Sequence, residues 1–264
     1  MAFCRDKSAA YLEARGYNVV RHPSTLLKPL MLLGRQNGTT IELGGLDKLT
    51  YNPGADLPVI ESDTVAADLN GQVTNKLSIG IGANILGAII GAMGGQLGVD
   101  VSYTNAERVE FRFIEVTNDS ALPIEIGSYL RDGQIDAGNV LLREYVLGNG
   151  ELFVVTKTAK SKKIEVRFER KNQTGATVKV PALKDLVGGN IKVNASSEDA
   201  ATVRFDGPHP LVFGFQCLRV AVLDGEVSLI SQKPGGVVAS AAEMRADDYV
   251  LLAPNQLLDI ATPS

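Results

Sequence analysis

The sequence predicts an α+β fold, in which helices surround a twisted, largely antiparallel β-sheet core. Residues 108–116 and 163–171 alternate apolar with polar side chains, which is the period of a strand with one buried face. The pair Asn37-Gly38 separates two strand-like runs and is typical of a two-residue hairpin turn. A short amphipathic run at 5–14 stops before Gly16, a residue type that often follows the last turn of a helix. Because tight turns join antiparallel neighbours, these observations together predict the α+β class.

Strand alternation, apolar helix patterns and turn residues place the remaining elements. Residues 61–75 are polar enough for a loop or a short helix, and the pattern does not choose between them. A helix is predicted over 130–147, and the pair Asp224-Gly225 predicts a last hairpin within 213–230. The predicted strands, in chain order, cover 16–23, 28–36, 39–43, 99–103, 108–116, 151–158, 163–171 and 176–183.

The most apolar part of the chain is a glycine-rich segment at 77–99, with no charged residue between Lys76 and Asp100. Its length approaches the roughly 20 residues of a transmembrane helix, but its glycines and polar amides make it only weakly hydrophobic. Glycines at four-residue spacing would give a helix one smooth face for close packing. The composition favours a soluble helix packed tightly on a sheet, and a constitutive membrane span is the alternative.

Side chains suited to catalysis are few and scattered. Neither His22 nor His209 stands in a metal-ligand spacing or beside a nucleophile motif, so both are expected at the surface, His209 in a turn between two prolines. Cys4 and Cys217 are too few for a disulfide framework or a zinc site, and Cys217 is expected in the core. The glycines at 80–87 lack the Lys-Ser/Thr pair of a phosphate-binding loop. The sequence therefore predicts a protein that is not an enzyme and holds no metal or bound cofactor.

A locally basic segment stands out because the whole chain carries a net charge of −4. We expect this segment to be a hairpin, and its positive charge fits either a solvated sheet face or contact with anionic lipid headgroups. The candidate headgroup contacts are Lys160, Lys162 and Lys163. The basic residues of the segment are Lys157, Lys160, Lys162, Lys163, Arg167, Arg170 and Lys171, against Glu165 and Glu169.

The C-terminal part changes composition after Gly236. Residues 237–248 are small or polar, which is typical of an exposed connection open to proteolysis, and Met244 and Arg245 are candidate cleavage positions. The tail beyond, 249–264, is too apolar to remain in solvent, so we expect it to dock on the folded body or simply to complete the core. Its apolar side chains include Tyr249, Leu251, Leu252, Leu257 and Leu258.

The run GYNVVRHP at 16–23, followed by Lys28-Pro29-Leu30 and Leu32-Leu33, resembles the opening of the bacterial gasdermins. Other shared features are a cysteine close to the N-terminus, Cys4, the glycine-rich segment, the amphipathic strand pairs and the lack of a large C-terminal domain. The similarity touches nearly the whole length, but its motif-level part is confined to about the first 35 residues.

The resemblance implies an autoinhibited cytoplasmic monomer that a caspase-like or trypsin-like peptidase cleaves near the C-terminus. Residues 1–236 would be the pore-forming domain, 237–248 the cleavable linker and 249–264 a short inhibitory tail. The released domain would oligomerise into large β-barrel pores among bacterial inner-membrane lipids and cause cell death in defence against phage. In this family the N-terminal cysteine is palmitoylated, which maps onto Cys4.

The strands themselves fit that implication, since 108–116 and 163–171 approach the roughly 9 to 11 residues of a membrane strand. The side chains expected to face lipid are Phe111, Phe113, Ile164, Val166 and Phe168. Two other interpretations stay open at the level of sequence. The chain could be a soluble, non-enzymatic binding or scaffold protein whose apolar segment is ordinary core, or an enzyme without a legible motif.

Overall fold

In the part of the chain that the structure describes, one sheet of 12 strands, almost entirely antiparallel, organises the fold. The structure is a computed structural model. It describes residues 10–51, 55–71, 77–78, 85–87, 89–91, 106–135, 139, 143–145, 150–170, 192–195, 202–223, 226–230, 248–254 and 256–261. The predicted α+β class, with a largely antiparallel sheet and surrounding helices, is confirmed.

Within the described residues, the first strands are β1 (Asn18–Ser24), β2 (Met31–Gln36), β3 (Thr39–Gly45), β4 (Thr50–Tyr51), β5 (Ile60–Val65), β6 (Leu77–Ser78) and β7 (Ala106–Ile114). The later strands are β8 (Thr117–Ala121), β9 (Gln134–Ile135), β10 (Glu151–Arg170), β11 (Lys192–Ala195), β12 (Thr202–Leu223), β13 (Glu226–Ile230) and β14 (Ile260–Ala261). Among the described residues, the helices are α1 (Ala10–Glu13) and α2 (Pro123–Asp132), with a 3-10 turn at Leu46–Lys48 and short helical stretches at 85–87, 89–91 and 143–145.

Two long strands, β10 and β12, form the centre of the sheet. They pair antiparallel from Leu152 opposite Val220 to Arg167 opposite Thr202. On its other side β10 pairs in turn with β2, β8 and β7. The main path across the sheet runs β1-β12-β10-β2-β3-β14. This single long strand therefore joins the N-terminal hairpin to the strands predicted to enter a membrane.

The alternation predicted for 108–116 and 163–171 is confirmed where the side chains are described. Arg112 and Arg167 are exposed on the opposite face. Phe113 stacks on Phe213 of β12, with ring centroids 3.8 Å apart, so aromatic contact adds to aliphatic burial here. Between 108 and 114 and between 163 and 167, the buried side chains are Val109, Phe111, Phe113, Ile164 and Val166.

Parts of the glycine-rich segment are helical and pack on this buried face. Residues 85–87 and 89–91 are helical, and Leu86, Ile89 and Ile90 lie in the same core cluster as Phe111 and Phe113. This packing agrees with the interpretation of a helix covering a sheet, but the start of the segment departs from it, because Leu77–Ser78 form β6 and pair with β7. In the part of the chain that the structure describes, no helix is both long and apolar enough to cross a membrane.

The predicted N-terminal hairpin is also confirmed. β2 and β3 pair as antiparallel neighbours around Asn37 and Gly38, whose φ angles are 51° and 81°. Two successive positive φ values match the twist of the flanking strands and explain the Asn-Gly pair. Gly16 likewise has a φ of 77° just after α1, as expected for a residue that ends a helix.

Two predicted elements are wrong in part. Of the loop or short helix predicted over 61–75, residues 61–65 instead lie in strand β5, because β5 finds a partner in β8, with Ile60 opposite Ala121; residues 66–71 are turn and coil, as predicted for a loop. The helix predicted over 130–147 is not continuous: α2 begins at Pro123 and ends at Asp132, Gly133 is extended and β9 follows, while 143–145 are helical. Pro at the first helical position presets its φ angle, and the buried Ile126 and Leu130 are spaced one turn apart on the covered face.

The basic segment is not a hairpin, which is a second correction. Lys157 through Arg170 lie in one continuous strand, β10, interrupted only by bulges. A bulge at Ser161 is stabilised by its own side chain: the hydroxyl donates to the carbonyl of Ile114, and the N–H of Lys163 donates to Ser161 Oγ. Local hydrogen bonding thus lets the strand bend without ending.

His209 lies in strand β12 and not in a turn, although both histidines are exposed as predicted. Across the bulge, Ser161 pairs with Leu211 and Lys163 pairs with Asp206, so residues 207–210 have no partner on β10. Pro208 and Pro210 have no N–H to donate and are tolerated at such a position. The last predicted hairpin is confirmed, since Leu223 pairs with Glu226, and its turn residues lie outside the described residues.

Candidate functional site

The C-terminal tail packs on the folded body, as its apolar composition predicts. Leu252 is 0% exposed and lies with Leu258 in a cluster that includes Phe153 and Phe215 of the central strands. Tyr249 packs in a neighbouring cluster with residues of β2, β10 and α2. Leu251 and Leu257 are half-buried. The tail therefore covers the sheet with Tyr249, Leu252 and Leu258 rather than lying loosely on it.

The end of the tail connects β1 and β3, which lie towards opposite ends of the main sheet. The N–H of Leu258 donates to the carbonyl of Val19 at 2.8 Å, and the N–H of Arg21 donates to the carbonyl of Leu258 at 2.9 Å. Two residues further on, strand β14 pairs parallel with β3, with Ile260 opposite Thr40. β1 and β3 lie far apart on the sheet path. Residues 258–261 nevertheless satisfy backbone edge groups of both strands.

Ion pairs on the surface add to this contact. Arg21 approaches Asp259 to 2.8 Å, and His22 Nε2 lies 3.5 Å from the other carboxylate oxygen. Both pairs are half-exposed, so each contributes at most about 1 kcal/mol. A cavity of about 170 Å³ remains between β1, β3 and the tail, lined mainly by Val20, Leu27 and Ile260. The tail is thus held by burial and backbone pairing, with less complete packing than the sheet core.

Sequence patterns did not indicate the most specific tail contact, which is made by Asn18. This side chain is 4% exposed at the start of β1. Its Nδ2 donates to the carbonyl of Val250 at 2.8 Å, and its Oδ1 accepts the N–H of Leu252 at 2.6 Å. The weak signal in the sequence is a polar amide directly before Val19-Val20, but Asn is also common in the turns that flank strands.

The predicted membrane-facing side chains lie together on one face. β7 and β10 bring Phe111 opposite Val166 and Phe113 opposite Ile164. Phe168 is paired with Val109 in the same register, and its side chain lies outside the described residues. The structure thus gives these two strands one apolar face, at present covered by residues of the glycine-rich segment.

The opposite face carries charge. Glu165 of β10 accepts a hydrogen bond from Arg204 of β12 at 3.1 Å and lies 3.7 Å from Arg112 of β7. The three side chains form an ion-pair row across three adjacent strands, which favours one register among them. A sheet with one apolar and one charged face can separate hydrocarbon from water.

The three lysines predicted to contact headgroups have different surroundings. Burial lowers the pKa of Lys160, but its hydrogen bonds to Asp119 and Asp63, at 2.7 and 2.9 Å, outweigh burial and raise that pKa. Lys163 pairs with Glu115, and this hydrogen bond lowers the pKa of the carboxyl. Lys162 is exposed. Of the three, Lys162 is therefore best placed to meet a lipid surface.

Cys217 is a core residue, as predicted. Its thiol is fully buried beside Asn18 Nδ2 and the carbonyl of Val250, and burial raises its pKa. The other predicted positions, Cys4, Met244 and Arg245, lie outside the described residues, as do linker residues 237–247 and the strand predicted at 176–183. The roles expected of these positions stay predictions.

Comparison with known proteins agrees with this arrangement. A model of the Bacterial Gasdermin Family matches residues 20–229. Gasdermin bGSDM of Vitiosangium sp. is 39% identical over 98% of this chain and 99% of its own, and that of a Desulfuromonadales bacterium is 34% identical over 89% and 88%. The solved structure of a bacterial gasdermin from Bradyrhizobium tropiciagri has the same fold, with a TM-score of 0.62 at 18% identity over 98% of this chain and 97% of that one.

The fold with its docked tail and these matches define one class of protein. The chain belongs to the bacterial gasdermin family. The resemblance seen in the first 35 or so residues is confirmed over nearly the full length.

Proposed function

We propose that this chain is a latent pore-forming protein that kills its own cell when its C-terminal tail is removed. The observation that carries the proposal is the tail itself, which pairs with both β1 and β3 and buries Leu252 against the central strands. Family membership supports the pore-forming class. The protein acts by assembly and not by catalysis.

Activation begins with a cut in the linker 237–248, where Met244 and Arg245 offer sites to different peptidases, caspase-like or trypsin-like. Tethering keeps the tail at an effective concentration in roughly the millimolar range, which favours docking even when the net docking energy is small. A cut removes this advantage, since the segment is then free to dissociate into bulk solvent. Opening of β1 and β3 exposes unpaired strand edges, which are ready sites for association between copies.

The latent monomer resides in the cytoplasm, and the activated chains assemble in the bacterial inner membrane as a response to phage infection. A closed ring of strands satisfies every backbone group in hydrocarbon, which a single open sheet does not. β7 and β10 supply strands with one apolar and one charged face, and the apolar face carries Phe111 and Val166. That face would turn from the protein core to lipid.

We also propose that Cys4 carries a palmitoyl chain that contributes to membrane attachment. A buried acyl chain adds about 0.8 kcal/mol per methylene, but one chain anchors only marginally, so protein contacts must supply a second signal. Intact-mass measurement of protein from its native host should show the added acyl mass, and Cys4→Ala should weaken leakage. A bare thiol together with full activity of Cys4→Ala would contradict this proposal.

Dye-loaded liposomes test the proposed function directly. We expect rapid leakage from a chain ending at Arg245 and no leakage from the intact chain, which is the control. A truncated chain that is folded by circular dichroism yet neither leaks liposomes nor harms the cells expressing it would rule out the latent pore. Turnover of a small substrate by the intact chain would favour an enzyme instead.

A further inference from the structure

The two contacts that Asn18 makes with the tail have the pattern of a strand ladder. Its carboxamide donates to the carbonyl of Val250 and accepts the N–H of Leu252, the two backbone groups that flank Leu251. A neighbouring strand offers the same donor and acceptor through its own peptide groups. One such backbone example lies further along the tail, where Val19 and Arg21 exchange hydrogen bonds with Leu258.

These contacts are shielded from water. Asn18 is 4% exposed and Leu252 is 0% exposed. The Sγ atom of Cys217 lies 3.6 Å from Asn18 Nδ2 and shields the carboxamide further. Losing one partner here leaves a buried donor or acceptor unsatisfied, which costs more than losing an exposed hydrogen bond. The amide is therefore placed to resist separation of the tail from β1.

The proposed cleavage region lies before both anchoring points. A cut within 237–248 breaks no hydrogen bond of Val250, Leu252 or Leu258 with the body. Peptide-bond cleavage and departure of the tail are consequently different events. What holds the cut segment in place is the set of contacts that cleavage leaves intact.

We propose that Asn18 is a positioning residue that retains the cut tail, so that the rate of tail release, and not cleavage alone, sets the time of activation. This inference rests on the proposed inhibitory role of the tail. It assigns to one side chain a function in timing that is separate from the stability of the sheet. The partner it recognises is the backbone of residues 250–252, largely irrespective of their side chains.

The test measures how long the cut tail stays bound. A specific protease site is placed within 237–247 of the full chain, and native mass spectrometry follows the bound peptide after cutting. Asn18→Ala removes both hydrogen bonds and should speed release by about ten- to a hundredfold. The matched control is Gln216→Ala, because Gln216 is also a buried carboxamide and its Nε2 donates to the carbonyl of Arg15 rather than to the tail.

Asn18→Asp separates a latch from a general effect on folding. The substitution keeps the shape but places a carboxylate oxygen against the carbonyl of Val250, so release should be fast near pH 8. Protonation restores a donor, so release should slow as the pH falls towards about 5, while the parent changes less. The Cys217 thiol stays protonated across this pH range, so it does not contribute to the slower release at low pH.

Equal release rates for the parent and Asn18→Ala would overturn the inference. So would equal acceleration in Gln216→Ala combined with no slowing of Asn18→Asp at low pH. Liposome leakage followed in parallel tests the proposed function separately. Fast release without leakage would refute the latent pore while supporting the latch, and leakage with the peptide still bound would refute inhibition by the tail.

Discussion

At the scale of single residues, the tail depends on a few buried side chains. Leu252 is 0% exposed and contacts the cluster around Phe153 and Phe215, whereas Gln256, in the same segment, is exposed. The two residues differ in burial but share the same tether. Substituting each of them therefore separates the effect of docking energy from the effect of the segment simply being attached.

We expect Leu252→Ala to make the uncut protein partly active. Leu→Ala in a well-packed site costs about 2 to 5 kcal/mol, which is large beside the small net energy of docking a short segment. The undocked population should rise, and liposomes should leak without any peptidase. Gln256→Ala should leave the uncut protein unable to leak liposomes. If Leu252→Ala is folded and causes no leakage either, burial of this side chain does not stabilise the latent state.

A second residue-scale prediction concerns pH. Burial raises the pKa of the Cys217 thiol, so the folded chain keeps a proton that the unfolded chain loses above about pH 8.5. The unfolded state then binds fewer protons, and the free energy of unfolding falls as the pH rises, by up to about 1.4 kcal/mol per pH unit for one group. Urea denaturation between about pH 8 and 10 should show a shallower loss in Cys217→Ala than in the parent. Parallel loss in the two proteins would contradict this assignment.

At the scale of elements, β10 determines the organisation of the sheet. Its 20 residues pair with β12 along one side and with β2, β8 and β7 in succession along the other. Its last part alternates Ile164 and Val166 with Glu165 and Arg167, and the buried pair lies against β7. Because the period of a strand is two, this alternation would persist if the strand lengthened in a bilayer.

Site-directed labelling tests the orientation of β10. Val166→Cys and Arg167→Cys are made separately in a Cys217→Ala background, labelled with an environment-sensitive dye, and compared after activation on liposomes. The dye at 166 should report an apolar surrounding and the dye at 167 an aqueous one, because neighbouring residues face opposite sides. The Cys217→Ala background, which keeps only Cys4, gives the labelling blank. Identical aqueous signals from both positions would show that this strand does not face lipid.

At the scale of the whole molecule, the tail ties distant parts of the chain together. Residues 258–261 connect β1 near the N-terminus with β3, and Tyr249 reaches the cluster that contains α2. Ordering each backbone residue of the tail costs about 1 to 2 kcal/mol, which offsets most of the gain from burying its apolar side chains. In the function proposed above, the latent state therefore depends on covalent connection as well as on contact.

We expect a separate peptide of residues 248–264 to inhibit the truncated chain only at high concentration. Without the tether, docking loses the effective concentration of roughly the millimolar range, so inhibition of liposome leakage should require peptide approaching that level. A peptide with Leu252→Asp should have no effect at the same concentration, since it would bury a charge. Failure of the unchanged peptide at millimolar concentration would contradict inhibition by docking.

Local patterns predicted much of this fold because their cause is local. The Asn37-Gly38 turn follows from the φ angles that the two residue types tolerate, and the buried alternation of β7 follows from a period of two. The same reasoning placed apolar side chains such as Leu252 against the body. Family resemblance at the N-terminus was legible for a similar reason, since a contiguous run carried it.

By itself, then, the sequence determined the α+β class, the strand faces and the docking of an apolar tail, all of which depend on neighbours in the chain and on burial. Only the tertiary structure decided that 60–65 is a strand, that the basic segment continues β10 without turning, and that Asn18 holds Val250 and Leu252. Each of these depends on a partner far away in sequence: β8, β12 or the tail. Pairing over more than 200 residues, as between Asn18 and Leu252, leaves no periodic trace in the chain, because it satisfies backbone groups that every residue carries.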